Sequence, residues 1–311
     1  MEIKRKYYIR DESQPYLDMG ELNFLLPTNF IEICKQYNFQ KLKFYPNRLE
    51  LAKKLKTNIL GPGSEYLINK IIQYVPSQKV LFFNPAWSMY KTYSIINKKD
   101  YEEIDIESFY NNPIEKLVKK SKKGDLVIIS NPDSIFGHYL DKLQLSTLLS
   151  ALDGRFIIID QAYLEFLDIN FDYDYFLNKF DNLYFTRTFS KAYSLPGIRL
   201  GYCYTNDKNF NYYLDYFPIS DFSIFVALKA LESNITEFVK KVQQQKLKMY
   251  NIKNKFVPSN LYYFHIQDNH KKLTNLSTNL KYVNYKFDNN TYCLLSALPD
   301  NLLEIYLDLL S

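Results

Sequence analysis

The sequence is poor in the residues that metal and disulfide chemistry need. Its three cysteines, Cys34, Cys203 and Cys293, are odd in number, far apart and without CxxC spacing, and His138, His265 and His270 are equally dispersed. Neither a zinc site nor a disulfide framework is suggested by that spacing. No apolar run approaches the roughly 20 residues a membrane helix needs. The start, Met1-Glu2-Ile3-Lys4-Arg5-Lys6, has no apolar segment of a secretory signal behind it. A cytoplasmic protein, away from membranes, is the expectation. Internal repeats and low-complexity linkers are lacking as well. The net charge is only +5, from 39 basic and 34 acidic residues. Lysine pairs such as Lys53-Lys54 and Lys119-Lys120 are scattered, mostly over predicted helices. They read as solvated faces and not as a nucleic-acid stripe.

What is present is an ordinary globular composition, 47% hydrophobic and 23% charged over 311 residues. That length suggests a large domain and a smaller one. Short, nearly all-apolar segments alternate with amphipathic ones from residue 79 onward. Lys79–Phe83, Tyr101–Ile106, Leu126–Ser130, Arg155–Asp160, Leu183–Thr186 and Leu200–Thr205 read as strands. Trp87–Ile96, Pro113–Lys120 and Lys142–Leu152 read as helices between them. This pattern predicts an α/β fold, a mainly parallel sheet covered by helices on both faces. Ligands of such sheets bind beyond the carboxyl ends of the strands. Asn131-Pro132, Asp160 and Thr188 all fall there. Nearer the N-terminus, helices are expected at Phe30–Tyr37 and Leu49–Leu55, and Gly61-Pro62-Gly63-Ser64-Glu65 feeds a third helix with Ser64 as its N-cap. Beyond residue 208, one long helix over Phe222–Tyr250 and strands at Leu261–Ile266, Tyr282–Phe287 and Tyr292–Ala297 predict a smaller α+β domain. The expected division is 30–208 for the large domain, and 1–29 plus 209–311 for the N-terminal segment and small domain.

The stretch with the most chemistry is Arg187-Thr188-Phe189-Ser190-Lys191-Ala192-Tyr193-Ser194-Leu195-Pro196-Gly197-Ile198-Arg199. Lys191 has no charged neighbour from Ala192 to Ile198. Desolvation disfavours the charged form of a lysine, and a deprotonated amine can attack a carbonyl to form a Schiff base. Arg199 offers a fork of donors suited to phosphate. Taken alone, a Ser-Lys pair in a loop is commonly just a loop. Asp160, closing an apolar strand, is costly without a partner, yet could simply cap the following turn. Trp87, the single tryptophan, could be a core aromatic.

Together, and in this order, the segments resemble fold-type I pyridoxal-phosphate enzymes, most closely the class II aminotransferases around histidinol-phosphate aminotransferase. The motifs are Tyr45-Pro46, Gly61-Pro62-Gly63-Ser64-Glu65, Pro85-Ala86-Trp87-Ser88-Met89-Tyr90, Asn131-Pro132 to Gly137, Asp160-Gln161-Ala162-Tyr163-Leu164-Glu165-Phe166, and Ser190-Lys191 to Arg199. The resemblance implies a seven-stranded sheet and pyridoxal 5'-phosphate as cofactor. It implies Lys191 as the Schiff-base and proton-moving residue, Asp160 on the pyridine nitrogen, Tyr163 on the ring's phenolic oxygen, and Trp87 stacked on the ring. Gly63, Ser64, Glu65, Thr188, Ser190 and Arg199 fall in the segments that surround the phosphate. Tyr45 would reach the phosphate from the neighbouring subunit, which implies a homodimer.

Two departures concern the substrate. Ser134 stands where the family has an asparagine against the phenolic oxygen, with Asp133 beside it as a poor substitute donor. No arginine follows Arg199, whereas the family clamps the substrate carboxylate with one in the small domain. The corresponding segment reads Thr291-Tyr292-Cys293-Leu294-Leu295-Ser296-Ala297. Lys286, Arg5 and Arg10 are candidate anion contacts. Transamination of a small amine or amino acid, phosphorylated or not, is the expectation. Decarboxylation of a phosphoserine- or phosphothreonine-like substrate is the rival, and a non-catalytic binding protein of the same fold a lesser one.

Overall fold

The computed structural model describes residues 22, 24–106, 112–135, 137–167, 169–233, 235–251, 256–258, 263–267, 284–287, 290–296 and 300. Its centre is a seven-stranded sheet of β1 (Ile59–Gly61), β2 (Lys79–Asn84), β3 (Asp100–Asp105), β4 (Leu126–Ser130), β5 (Phe156–Asp160), β6 (Leu183–Thr188) and β7 (Gly201–Thr205). The spatial order is β1-β7-β6-β5-β4-β2-β3. Strands β3, β2, β4, β5 and β6 run parallel, while β7 is antiparallel to both β6 and β1. The mainly parallel α/β sheet expected from the sequence is therefore present, with two antiparallel pairings at one side.

Nearly continuous apolar strands follow from burial on both faces. Along β1, Ile59 packs into one core with Val80, Ile128, Ile158 and Tyr184, while Leu60 enters the other with Leu51, Phe189 and Tyr202. This alternation is the period of two that a pleated strand imposes. Each such side chain, fully buried, contributes about 1.5–3 kcal/mol.

The helices are α1 (Thr28–Cys34), α2 (Leu49–Leu55), α3 (Gly63–Tyr74), α4 (Met89–Ile96), α5 (Pro113–Lys120), α6 (Lys142–Ala151), α7 (Tyr173–Lys179), α8 (Lys208–Tyr213), α9 (Asp221–Glu232) and α10 (Ile235–Asn251). Leu67, Ile68, Ile71 and Ile72 form the buried stripe of α3. Two expectations are corrected. Ser64 is not an N-cap: α3 begins at Gly63 after Pro62, and no side chain caps it. The single helix expected over Phe222–Tyr250 is two, because Ser233 leaves the helical conformation and ends α9. Strand β1 and helices α7 and α8 were not anticipated; they are short, and three residues leave no readable period.

Contacts divide the chain into residues 26–240 and a second unit of 1–25 with 241–311. The described part of the second unit includes an antiparallel four-stranded sheet of β8 (Phe256–Pro258), β9 (Tyr263–Gln267), β10 (Asn284–Phe287) and β11 (Asn290–Ser296), ordered β10-β11-β9-β8. The three strands expected there are present, and β8 is additional. Lys286 lies on β10 opposite Thr291. Arg5 and Arg10 lie outside the described residues.

One contact ties the sheet to the first turn of α3. A Cβ on Gly201 would lie 2.4 Å from the Ser64 nitrogen, 2.5 Å from the Gly63 carbonyl carbon and 2.8 Å from the Arg187 oxygen. All three are backbone atoms and cannot rotate aside. Gly201→Ala is expected to cost about 3 kcal/mol, read as a lower urea midpoint with unchanged slope.

Candidate active site

The candidate residues come together because the strands carrying them end at one edge. Ser130 pairs with Asp160, Asp160 with Thr186, Thr188 with Gly201, and Gly201 with Gly61. The loops after β1, β4, β5 and β6 therefore open on the same side of the sheet.

Asp160 ends β5 as a buried carboxylate, 7% exposed. The Tyr90 hydroxyl donates to its Oδ2 at 2.6 Å, the Ala162 N–H to Oδ1 at 3.1 Å, and the Thr186 hydroxyl to Oδ1 at 3.4 Å. Burial pushes the Asp160 carboxyl up; the hydrogen bonds and the nearby positive charge of Lys191 pull it down, and burial wins. Burial, reinforced by the charge of Asp160, raises the Tyr90 phenol well above its ordinary value, so it stays a donor. Tyr90 was visible only as the end of a motif, without a role. Its signal was its place three residues after Trp87, which sends it into the core under the site.

Lys191 lies in the loop after β6, half-buried, with its Nζ 5.6 Å from the Tyr163 ring centroid. The loop is held by its own backbone. Ser194 N–H donates to the Lys191 carbonyl, Leu195 N–H to that of Phe189, and Phe189 N–H to that of Leu200. The fully buried Phe189 ring anchors it from below. Trp87 is partly buried and meets Tyr90 edge-on at 5.4 Å.

A second group of residues surrounds the start of α3. Its first N–H groups lack a side-chain cap, and a helix N-terminus of this kind attracts anions. Gly63 has φ +84°, and a Cβ there would lie 2.8 Å from Arg199 Nη2. Arg199 reaches Glu65 Oε2 at 3.3 Å, while Tyr93 donates to Glu65 Oε1 at 2.6 Å. The Thr188 hydroxyl donates to the Ser190 hydroxyl at 3.0 Å and accepts from the Ser190 N–H at 3.1 Å. An uncapped helix end, a hydroxyl pair, an arginine and a glycine whose missing side chain leaves room fit a phosphate group. A buried acid at the adjacent strand end fits a cationic heterocycle.

In the loop after β4, Asn131 and Asp133 serve the loop itself. The Asn131 amide bonds both backbone groups of Leu140, and the Asp133 carboxylate accepts the N–H of Ile135 and of His138. Asp133 is therefore a brace. Ser134 borders a cavity of about 20 Å3 shared with Tyr90, Ser130 and Asp133, room for one water. Tyr45 stands apart at 80% exposure, its ring stacked on Phe217 at 4.6 Å. A larger cavity of about 710 Å3 opens at the other end of β7, between Thr57, Tyr173 and Tyr204. None of the expected cofactor-binding residues lines it, so strand ends mark the site better than cavity size. Among the described residues no helix is long and apolar enough to cross a membrane, and no cluster of three or more His, Cys, Asp or Glu could hold a metal.

The profile of the aminotransferases of class I and II matches residues 9–275. The chain belongs to that family. Histidinol-phosphate aminotransferase of Pyrococcus furiosus is 26% identical over 231 residues, 70% of this chain and 67% of that protein. The fold is that of the Sinorhizobium meliloti histidinol-phosphate aminotransferase solved with pyridoxal-5'-phosphate (TM-score 0.79, 18% identity, 94% of this chain and 88% of that one). It is also that of L-threonine-O-3-phosphate decarboxylase from Porphyromonas gingivalis (TM-score 0.74, 17% identity, 94% and 97%). The protein is a pyridoxal-phosphate-dependent aminotransferase of fold type I.

Asp160 makes the apoprotein pH-sensitive. Its folded carboxyl holds a proton more tightly than the unfolded one. The resulting stability is complete below the unfolded value, about 3.9, and is lost as pH rises through the folded value. Asp160→Asn is expected to melt at or above the wild-type temperature as apoprotein at neutral pH, the gap closing toward acid. Transamination falls about a hundredfold or more.

Proposed function

We propose that Lys191 is the amine that binds the cofactor aldehyde and moves the reacting proton, and that Asp160 holds a proton on the ring nitrogen. The placement of a buried acid, an amine and a phenol at adjoining strand ends carries this reading. Pyridoxal phosphate supplies an aldehyde that condenses with amines and a ring that takes up electrons from a breaking bond. The protein supplies the rest. Gly63 and Ser64 N–H groups, Ser190, Thr188 and Arg199 would hold the phosphate, with Glu65 orienting Arg199 rather than touching the anion. Trp87 would cover one ring face, Tyr163 would donate to the ring oxygen, and Ser134 would reach that oxygen through water. Lys191 would hold and move the reacting proton at its Nζ.

The donor is a small phosphorylated amino compound. The relatives act on an amino alcohol phosphate, by their name, and such a donor needs no carboxylate clamp. That agrees with a chain whose last arginine is Arg199. The same absence, together with the likeness to a decarboxylase, supports a second reading, loss of carbon dioxide from a phosphorylated amino acid. Incubation of the yellow holoenzyme with histidinol phosphate separates the two. Bleaching of the visible band without gas supports transamination. Carbon dioxide from phosphothreonine or phosphoserine, with the band retained, overturns it. Lys191→Ala is expected to lose activity by about 10⁴-fold or more while still binding cofactor, and borohydride fixes cofactor mass on Lys191 in the wild type alone.

The functional unit is a homodimer with shared sites. Phe44, Tyr45, Leu49, Tyr212 and Tyr216 are all at least 66% exposed, large side chains available to a subunit interface. Tyr45 would cross to the partner's phosphate. Refolding a mixture of Tyr45→Ala and Lys191→Ala, each impaired alone, is expected to restore activity through hybrids with one native site. A mixture no more active than its components excludes sharing.

A further inference from the structure

Behind the site, on the other face of the sheet, lies a charged pair that none of these roles uses. Thr186 and Thr188 face Asp160 and Ser190, so Arg187 between them points the opposite way. Its Nη2 donates to Glu165 Oε1 at 2.7 Å, and the two side chains are only 12% and 11% exposed. Its Nη1 donates to the Tyr173 hydroxyl, which donates to Gln161 Oε1 at 2.8 Å. Burial opposes the charge on Arg187, but Glu165, Tyr202 and Tyr173 more than restore it. Glu165 Oε2, Arg187 Nε and Gln161 Nε2 are buried without a hydrogen-bond partner.

A buried ion pair with two unmet polar atoms of its own, and a third on Gln161 beside it, is a poor source of stability; apolar residues of similar volume often do as well or better. What the pair does is join the two segments that carry the site. Gln161 and Glu165 lie on either side of Tyr163, and Arg187 shortly precedes Thr188 and Lys191. The backbone adds one bond to the same junction, Gln161 N–H to the Thr186 carbonyl at 2.9 Å.

We propose that the Glu165–Arg187 pair is a positioning device that fixes Tyr163 against Lys191 on the bound cofactor. It rests on the roles given above to Lys191 and Tyr163. A Tyr163 hydroxyl held on the ring oxygen favours the unprotonated form of the Lys191-linked cofactor, so release of Tyr163 raises the pH at which the visible band titrates.

The test is the double variant Glu165→Leu/Arg187→Met, beside the single variants Glu165→Gln and Arg187→Lys. For the double variant, the apoprotein melts at or above the wild-type temperature, as removal of both charges allows. In the holoenzyme the visible-band titration moves up by about one unit and kcat falls about tenfold, with KM unchanged. Arg187→Lys keeps the charge but not the fork and gives a smaller shift. A double variant that titrates and turns over like wild type overturns the proposal, because a merely structural pair would leave the titration alone. If the double variant does not fold, wild-type titration in both single variants overturns it equally. Borohydride mapping on each variant keeps the two levels apart. Cofactor mass on Lys191 with an unmoved titration sinks the positioning role alone; mass elsewhere sinks the underlying reading.

Discussion

The structure depends on one costly placement, an ionisable carboxyl at the buried end of β5. Burial favours its neutral form, and three hydrogen bonds with one nearby ammonium do not fully compensate. A buried acid of this kind adds little to folding, and in the proposed role it would hold a protonated heterocycle. The neighbouring elements make sense as supports for that placement. Tyr90 keeps its proton and donates a hydrogen bond to one Asp160 oxygen, Thr186 and Ala162 fix the other oxygen, and Phe189 anchors the loop of Lys191.

Much of this was legible in the sequence because parallel strands are punctuated by their chemistry. An apolar run ending in Asp160, and a lysine in an uncharged loop thirty-one residues later, are local signals that survive without knowledge of pairing. Strand order supplies the remaining information, and order is not local. Thr186 touches Asp160 only because β5 and β6 are neighbours, and Gly201 meets the first turn of α3 only because β7 separates β6 from β1. The three residues of β1 carry no period of their own. Ser64 looked like a cap by residue type, yet Pro62 and Gly63 already start the helix. The break at Ser233 lies between two amphipathic stretches whose apolar positions read as one.

The site also shows two ways of handling charge. At the start of α3 Arg199 and Glu65 are partly exposed, so water screens them and Arg199 is free to turn toward an incoming anion. Behind the sheet Glu165 and Arg187 are dry and held by neighbours on several elements. The first arrangement adapts to a ligand; the second resists displacement. A cofactor that must be gripped at one end and aligned at the other calls for both.

The close approach at Gly201 has an evolutionary corollary. Strand β7 and the first turn of α3 share a contact with no side chain to adjust. Changes that reshaped the start of that helix would disturb the fold as well. Diversification of this scaffold is therefore channelled away from that helix start and into segments that do not bear on the sheet.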